Sequence, residues 1–349
     1  MDLKKIGYYL IKFWIQNGLH QYFSKIKVHG LENVPKDKPV LFLANHQSAL
    51  LDVLLVAVDC NRKPYFLTRA DVFKKPLLKK FFGFLQMIPI YRIRDGRESL
   101  KNNTEVFDHC AHLLGDEKAI LMFPEANHNL KRRVRPLSKG FTRIVFAALQ
   151  QNPNLDIRLV PIGLNYQNAE GFPDSVAIYF GQDISVQQFY DASNLISSTH
   201  IIKQRVSEAL KTLTTHIEDE DLYDAIIRHL DKNRTDYLDP TKVNSKLKTL
   251  KPLETQTHVK RKREKGFLQI AFYIFNFPII LLWKTMVKPR VWEPEFTATI
   301  RFGFALMAYP LYYAFLFIVL MILYAPLTAF IIVLGIFLFN LGYVKLRVR

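Results

Sequence analysis

Short apolar runs alternate with helix-length amphipathic stretches through the first 180 residues of the chain. Residues 39–44, 65–68, 119–123, 157–165 and 176–180 are short, apolar and rich in branched side chains, which predicts strands. Residues 49–58, 72–82, 100–114 and 140–149 lie between them and predict helices. Ile202, Val206, Leu210 and Leu213 recur at helical spacing, so the stretch 200–230 reads as an amphipathic helix packed on the sheet. The pattern is that of an α/β fold with a mostly parallel sheet flanked by helices.

Beyond residue 238 the pattern changes. Residues 239–265 are polar and lysine-rich, ending in Lys260, Arg261, Lys262, Arg263, Glu264 and Lys265 directly before an apolar stretch, a placement that predicts a juxtamembrane basic linker. Residues 302–343 carry no charge, and their length is about twice the roughly 20 residues a bilayer crossing needs. With Ala325 and Pro326 available as the turn, they predict a transmembrane helical hairpin. Residues 266–283 are broken by Asn276 and Pro278 and are open to three readings: a span, an interfacial segment or a re-entrant one. The basic cluster at 260–265 and the tail cations Lys345, Arg347 and Arg349 both favour the cytoplasmic side. That requires an even number of crossings between them, which two spans and one interfacial segment satisfy. The expected layout is a membrane-associated amphipathic helix over 1–25, a globular domain over 26–238, the linker over 239–265 and a C-terminal membrane region over 266–349. An integral membrane protein with its globular domain on the cytoplasmic side follows.

At the N-terminus, Tyr8, Tyr9, Leu10, Phe13 and Trp14 mix with lysines. This suits a helix lying on a bilayer and equally a helix packed on the core. Lys12 interrupts the apolar stretch and no small-residue cleavage site follows, unlike a signal peptide. The net charge of +17 calls for an anionic partner. Because much of the basic excess flanks apolar segments, and Lys74, Lys75, Lys79 and Lys80 stand among aromatics, lipid headgroups fit better than nucleic acid. The two cysteines, Cys60 and Cys110, have no metal-ligand spacing and are too few for a disulfide framework, so a reducing compartment is expected.

The candidate chemistry stands at the ends of the strands. The first run leads into Asn45 and His46, with Asp52 six residues beyond the histidine. An imidazole partnered by a carboxylate suits proton removal from a hydroxyl, because the acid fixes the tautomer and stabilises the imidazolium. An apolar run over 88–91 ends in Arg92, whose guanidinium suits a phosphate. A third run ends in Phe123, Pro124 and Glu125, followed by the basic residues Lys131, Arg132, Arg133, Arg135 and Lys139. Ligands of open α/β sheets settle beyond the carboxyl ends of the strands, so these blocks are expected to share one crevice.

Asn45, His46 and Asp52, then Arg92, then Phe123, Pro124 and Glu125, then Val160 and Pro161 resemble the four ordered blocks of the glycerolipid acyltransferase superfamily. The likeness covers roughly residues 28–230. It implies acyl transfer from acyl-CoA or acyl-carrier protein to the hydroxyl of glycerol 3-phosphate or a lysophospholipid such as lysophosphatidate, at a lipid bilayer, with no metal or tightly held cofactor. It also implies His46 as base with Asp52 as its support, and a substrate-binding set of Asn45, Arg92, Pro124, Glu125, Arg135, Lys139 and Pro161. In that set the acceptor's phosphate lies near Arg92 and the acyl side near Pro161. A different lipid hydroxyl, such as that of a hydroxyacyl amino-acid lipid, or lipid binding without turnover, are the rival readings.

The sequence departs from the family pattern at three places. Five residues separate His46 from Asp52 where four are usual. One added helical residue would turn the acid by about 100°, so the loop before the helix must absorb it. Ala126 stands where the family has glycine, and Gln86 and Pro89 stand where glycine and phenylalanine are usual.

Overall fold

The structure is a computed structural model that describes residues 3–73, 76–91, 101–250 and 266–347. Its strands are β1 (Phe23–His29), β2 (Val40–Ala44), β3 (Tyr65–Arg69), β4 (Met87–Ile90), β5 (Ala119–Met122), β6 (Arg158–Tyr166), β7 (Asp174–Phe180) and β8 (Ile184–Ser185). Its α-helices are α1 (Leu3–Tyr22), α2 (Ala49–Asp59), α3 (Pro76–Phe84), α4 (Asn102–Gly115), α5 (Gly140–Gln151), α6 (Leu195–Leu213), α7 (Tyr223–Lys232), α8 (Pro240–Thr249), α9 (Phe267–Phe275), α10 (Phe277–Leu282), α11 (Thr297–Leu323) and α12 (Pro326–Leu346).

The strands form one sheet in the order β1-β7-β6-β2-β5-β3-β4, with β8 also paired to β6. From β6 to β4 every pairing is parallel, whereas β7 and β8 run antiparallel to β6 and β1 runs parallel to β7. β2 lies at the centre, and the chain leaves it towards β3 on one side and later returns to β6 on the other. Strands buried on both faces read as continuous apolar runs, which is why β2, β5 and β6 were legible. Val40, Phe42 and Ala44 point into a core shared with α1, α2 and the start of α11. Leu41 and Leu43 point into the opposite core, built with α4, α5 and α6. β1 was not expected: it is an edge strand with an outward face carrying Lys25 and Lys27, and its short alternation merges with the helix before it.

Two expectations need correction. The stretch 200–230 is not one helix: α6 ends at Leu213 and α7 starts at Tyr223. The break has work elsewhere, since Ile217 N donates to Arg132 O at 3.0 Å and Val134 N donates to His216 Nδ1 at 3.0 Å. The stretch also begins too late in the expectation, because α6 starts at Leu195, capped by Asn194. Likewise the residues taken as the first part of a linker form α8, which Asp239 caps. Its Asn244 donates to Lys211 O and Thr214 O, and Val243 is buried against the globular domain. The basic cluster at 260–265 lies outside the described residues.

α11 and α12 are each long and apolar enough to cross a membrane, with Tyr324 and Ala325 between them. α11 alone is about 40 Å long at 1.5 Å per residue. α9 and the helical segment after it bend by 83°, so neither half is long enough to cross by itself, and Trp283, Lys284, Lys288, Arg290 and Trp292 follow the bend. Both ends of the hairpin rest on the globular domain. Arg301 donates to Gly171 O and Glu170 O, while at the other end Ser24 Oγ donates to Val344 O and Lys345 to His20 O and Phe23 O. α1 packs on the core through Leu19 and Tyr22, which are buried, and leaves Tyr9, Leu10, Phe13 and Trp14 exposed. The Leu306 side chain of α11 packs over Gly18 of α1, where a Cβ would lie 2.5 Å from its Cδ1. Between α1, α11 and α12 lies an apolar cavity of about 180 Å³ lined by residues including Trp14, Phe302, Leu306 and Leu341.

Buried amides tie the bend to the hairpin. Asn276 and Asn340 donate to each other's oxygen at 2.7 and 2.9 Å, and Asn340 also donates to the Tyr313 hydroxyl. Asn340→Leu leaves the fully buried Asn276 without that partner. The expected result is a loss of about 1 kcal/mol in unfolding from detergent micelles, an amount typical of polar pairs between membrane helices.

Candidate active site

β2 delivers His46 at its carboxyl end, and the chain then turns through Gln47 and Ser48 into α2. Asp52, fully buried on the first turn of α2, faces back to that loop. Its Oδ2 lies 2.8 Å from His46 Nδ1 and accepts the backbone N–H groups of Gln47 and Ser48, each at 2.8 Å. Its Oδ1 accepts the Tyr166 hydroxyl at 2.5 Å. Burial and the neighbouring Asp52 push the Tyr166 phenol well above its usual range, so it stays a donor. The extra residue between His46 and Asp52 is absorbed at the helix start, where Ala49 has φ of 39°.

The imidazole of His46 is stacked on Phe123, with ring centroids 3.8 Å apart and planes within 12°. Hydrogen bond and stacking together fix its orientation, and Nε2 remains as the second ring nitrogen. His128, left outside the expected catalytic pair, is the next ring, 5.3 Å from His46 and edge-on to Phe296 at 4.7 Å. Its Nε2 lies 3.2 Å from the Glu293 carboxylate without the alignment of a hydrogen bond. Burial, then the neighbouring His46, push the His128 pKa down to about 4.

Glu125 arrives from the end of β5. Its Oε2 accepts Arg135 Nε at 2.9 Å, while Oε1 is buried with no hydrogen-bond partner among the described residues. Burial pushes this carboxyl up, opposed by Arg135 and His46. Arg135 also donates to Asn127 O, which closes the loop on itself. Ala126 sits at φ of 64° and Gln86 at 62°. The two positions where glycine is usual therefore keep the left-handed backbone that glycine favours.

The remaining expected residues divide. His46, Asn45 and Glu125 line one narrow polar cleft with Lys131, Arg132 and Arg133. Asn45 is largely committed within it: its side chain donates to Leu164 O at 3.1 Å and accepts Leu164 N at 2.7 Å, extending the β2–β6 pairing past the strand end. It braces the loop and is not free to bind substrate through those atoms. Pro124 is a loop brace as well, its carbonyl accepting Ser138 N at 2.7 Å. Lys139 is exposed at the start of α5, outside the cleft lining. Pro161 is buried in β6 opposite Leu43, on the sheet face turned away from α11 and α12, and does not line the cleft. It sits where the neighbour of β6 changes from β8 to β7, so its missing N–H leaves no gap in the ladder. In the same strand a Cβ on Gly163 would meet Leu213 O at 2.1 Å. Arg92 lies outside the described residues.

Tyr166 was missed by sequence reasoning. Its place at the end of a buried strand was visible, but its partner is 114 residues away and no local spacing announces it. The basic loop is held by the break between α6 and α7: Tyr223 Oη accepts Arg132 N, and Arg133 pairs with Glu220 at 3.1 Å.

His128 gives a pH test of the site. Its folded pKa lies below the ordinary value of 6.5, so the unfolded chain binds the extra proton first. Its contribution to stability is present above pH 6.5 and is lost as pH falls towards about 4. The expected outcome is a melting temperature that drops over that window in the wild type and drops less in His128→Gln, measured in one detergent at constant ionic strength.

Comparison with known proteins agrees with this geometry. The acyltransferase family model matches residues 25–165. A chloroplastic 1-acyl-sn-glycerol-3-phosphate acyltransferase of Arabidopsis thaliana is 24% identical over 138 residues, 39% of this chain and 36% of the relative. Another 1-acyl-sn-glycerol-3-phosphate acyltransferase, from Chlamydomonas reinhardtii, is 29% identical over 143 residues, 41% of this chain and 39% of the relative. Glycerol-3-phosphate O-acyltransferase 1 of Saccharomyces cerevisiae is 19% identical, covering 62% of this chain and 39% of the relative. The chain thus spans well under half the length of these curated relatives. The crystal structure of a 1-acyl-sn-glycerophosphate acyltransferase from Thermotoga maritima aligns with a TM-score of 0.43 and 19% identity, over 60% of this chain and 81% of that one. The segment that carries His46, Asp52 and Glu125 is thus the one that matches the acyltransferase family and its glycerol-phosphate-acylating relatives.

Proposed function

We propose that the protein transfers a fatty acyl group from an acyl thioester, acyl-CoA or acyl-carrier protein, to the hydroxyl of glycerol 3-phosphate or lysophosphatidate at a membrane surface. The observation that carries this reading is the 2.8 Å contact between His46 Nδ1 and the buried Asp52. With Nδ1 so engaged, Nε2 takes the proton of the acceptor hydroxyl as its oxygen attacks the thioester carbonyl. The tetrahedral adduct then collapses, the C–S bond breaks, and the leaving thiolate takes the proton back from the imidazolium. Asp52 stabilises that imidazolium without itself moving a proton.

Glu125 and the cations of the basic loop meet the acceptor. The unpaired Oε1 of Glu125 suits a hydroxyl donor, and Lys131 and Arg133 at the cleft suit a phosphate. The relatives' names, with glycerol 3-phosphate and its 1-acyl ester in them, support the same acceptor class. The apolar cavity beside Phe302 offers room for a lipid chain. We place the catalytic domain on the cytoplasmic side. In support, α11 begins and α12 ends against it, and Lys345 and Arg347 stand at that end of the hairpin.

The test is product analysis with purified protein in mild detergent. Labelled acyl-CoA and acyl-carrier protein are each offered with glycerol 3-phosphate, lysophosphatidate and a hydroxyacyl amino acid. One phosphate-bearing acceptor is expected to be acylated, with His46→Ala slower by on the order of 10³-fold. Acylation of the amino-acid lipid alone would replace the acceptor. No product from any pairing, or equal product from His46→Ala, would overturn the reading.

A further inference from the structure

The catalytic loop is held from outside the family-matched segment. We propose that Thr299, on the first turn of the membrane helix α11, is a positioning residue: its hydroxyl staples the loop that carries the extra residue between His46 and Asp52. The proposal rests on the acyl-transfer reading for its rate measurement, not for its geometry.

The hydroxyl spans the irregular turn. Thr299 Oγ1 donates to Ser48 O at 2.8 Å and accepts Leu51 N at 3.0 Å. Those two groups bracket Ala49, whose φ of 39° is a left-handed conformation for a residue with a Cβ. Such a conformation is strained and persists only where its surroundings hold it. The N-cap side chain of α2 takes no part in holding it. Ser48 is its N-cap residue, yet the Ser48 side chain makes no capping bond and its Oγ is buried without a partner among the described residues. Asp52 takes the N–H groups of Gln47 and Ser48 from within, and the Leu51 N–H, which closes the turn on Ser48 O at 2.9 Å, is shared with Thr299 of α11.

Thr299 is presented by a fixed element. Its neighbours Ala298 and Phe302 are buried in the same core as α2 and the sheet. A threonine in a helix ordinarily has its own preceding carbonyls within reach, whereas this hydroxyl is turned across to another element. The residues just before it touch the second catalytic loop, where Phe296 packs on His128 and Glu293 lies 3.2 Å from it. One end of the membrane hairpin thus holds both loops that form the cleft, and the seating of α11 sets the geometry of the His46–Asp52 pair.

The test compares Thr299→Val, which keeps shape and removes both hydrogen bonds, with Thr299→Ser, which keeps the hydroxyl. Thr299→Val is expected to lower kcat by about 10- to 100-fold, the scale of a displaced catalytic group, with KM for both substrates within about twofold of wild type. Thr299→Ser is expected to recover most of that rate. Adding Ala49→Gly to Thr299→Val is expected to recover part of it, because glycine adopts positive φ without strain. A substrate-free readout is the Nδ1 proton resonance of His46 in histidine-labelled protein, present in wild type and Thr299→Ser and lost in Thr299→Val. Wild-type kcat and an intact resonance in Thr299→Val would overturn the proposal, as would Thr299→Ser being as impaired as Thr299→Val. If wild type transfers no acyl group while the resonance still follows Thr299, the acyl-transfer reading falls and the staple stands.

Discussion

A carboxylate withdrawn from water must be met by donors, and the site is arranged around meeting this one. Asp52 has no exposed surface, and its two oxygens accept from His46, two backbone amides and Tyr166. Those donors come from the loop after β2 and from the end of β6, so the carboxylate can be satisfied only if β2 and β6 lie in register. Asn45 enforces that register by bonding both backbone groups of Leu164. Removing any one donor would leave buried charge less compensated, which ties the orientation of the His46 imidazole to the stability of the domain.

The same site depends on the C-terminal helices. The core that buries α2 against the sheet also takes in Leu19 and Tyr22 of α1 and Ala298 and Phe302 of α11. Globular domain and hairpin therefore share packed surface instead of being joined only by a tether. Leu306 of α11 packs over Gly18 of α1, and the Asn276–Asn340 pair fixes the bent segment to the hairpin. The end of α12 returns to β1 through Ser24, which closes the assembly at the sheet edge.

Much of this was legible because burial writes itself into sequence at short range. The central strands are continuous apolar runs, and the uncharged stretch at 302–343 reads as two crossings without further information. His46, Asp52 and Glu125 follow strands in a recognisable order. What was not legible depends on distant partners. β1 is an edge strand defined by pairing with β7, α8 by its docking onto α6, and the break after Leu213 by its bonds to the basic loop. Tyr166 and Thr299 act through groups more than 100 residues away. Asn45 and Pro161 illustrate the reverse: both belong to motif blocks, yet one braces a loop and the other fills a strand. The positive φ at Gln86 and Ala126 shows that backbone shape persists where the usual glycine does not.

The central claim is that His46 and Asp52 act as one unit, the acid working only through the imidazole it orients. The most direct test is a double-mutant cycle on kcat with His46→Gln, Asp52→Asn and the pair combined, each checked for folding in detergent. The account predicts strong non-additivity, with the double variant no slower than His46→Gln alone. Losses that multiply independently would contradict it, showing that Asp52 serves the reaction by a route that does not pass through His46.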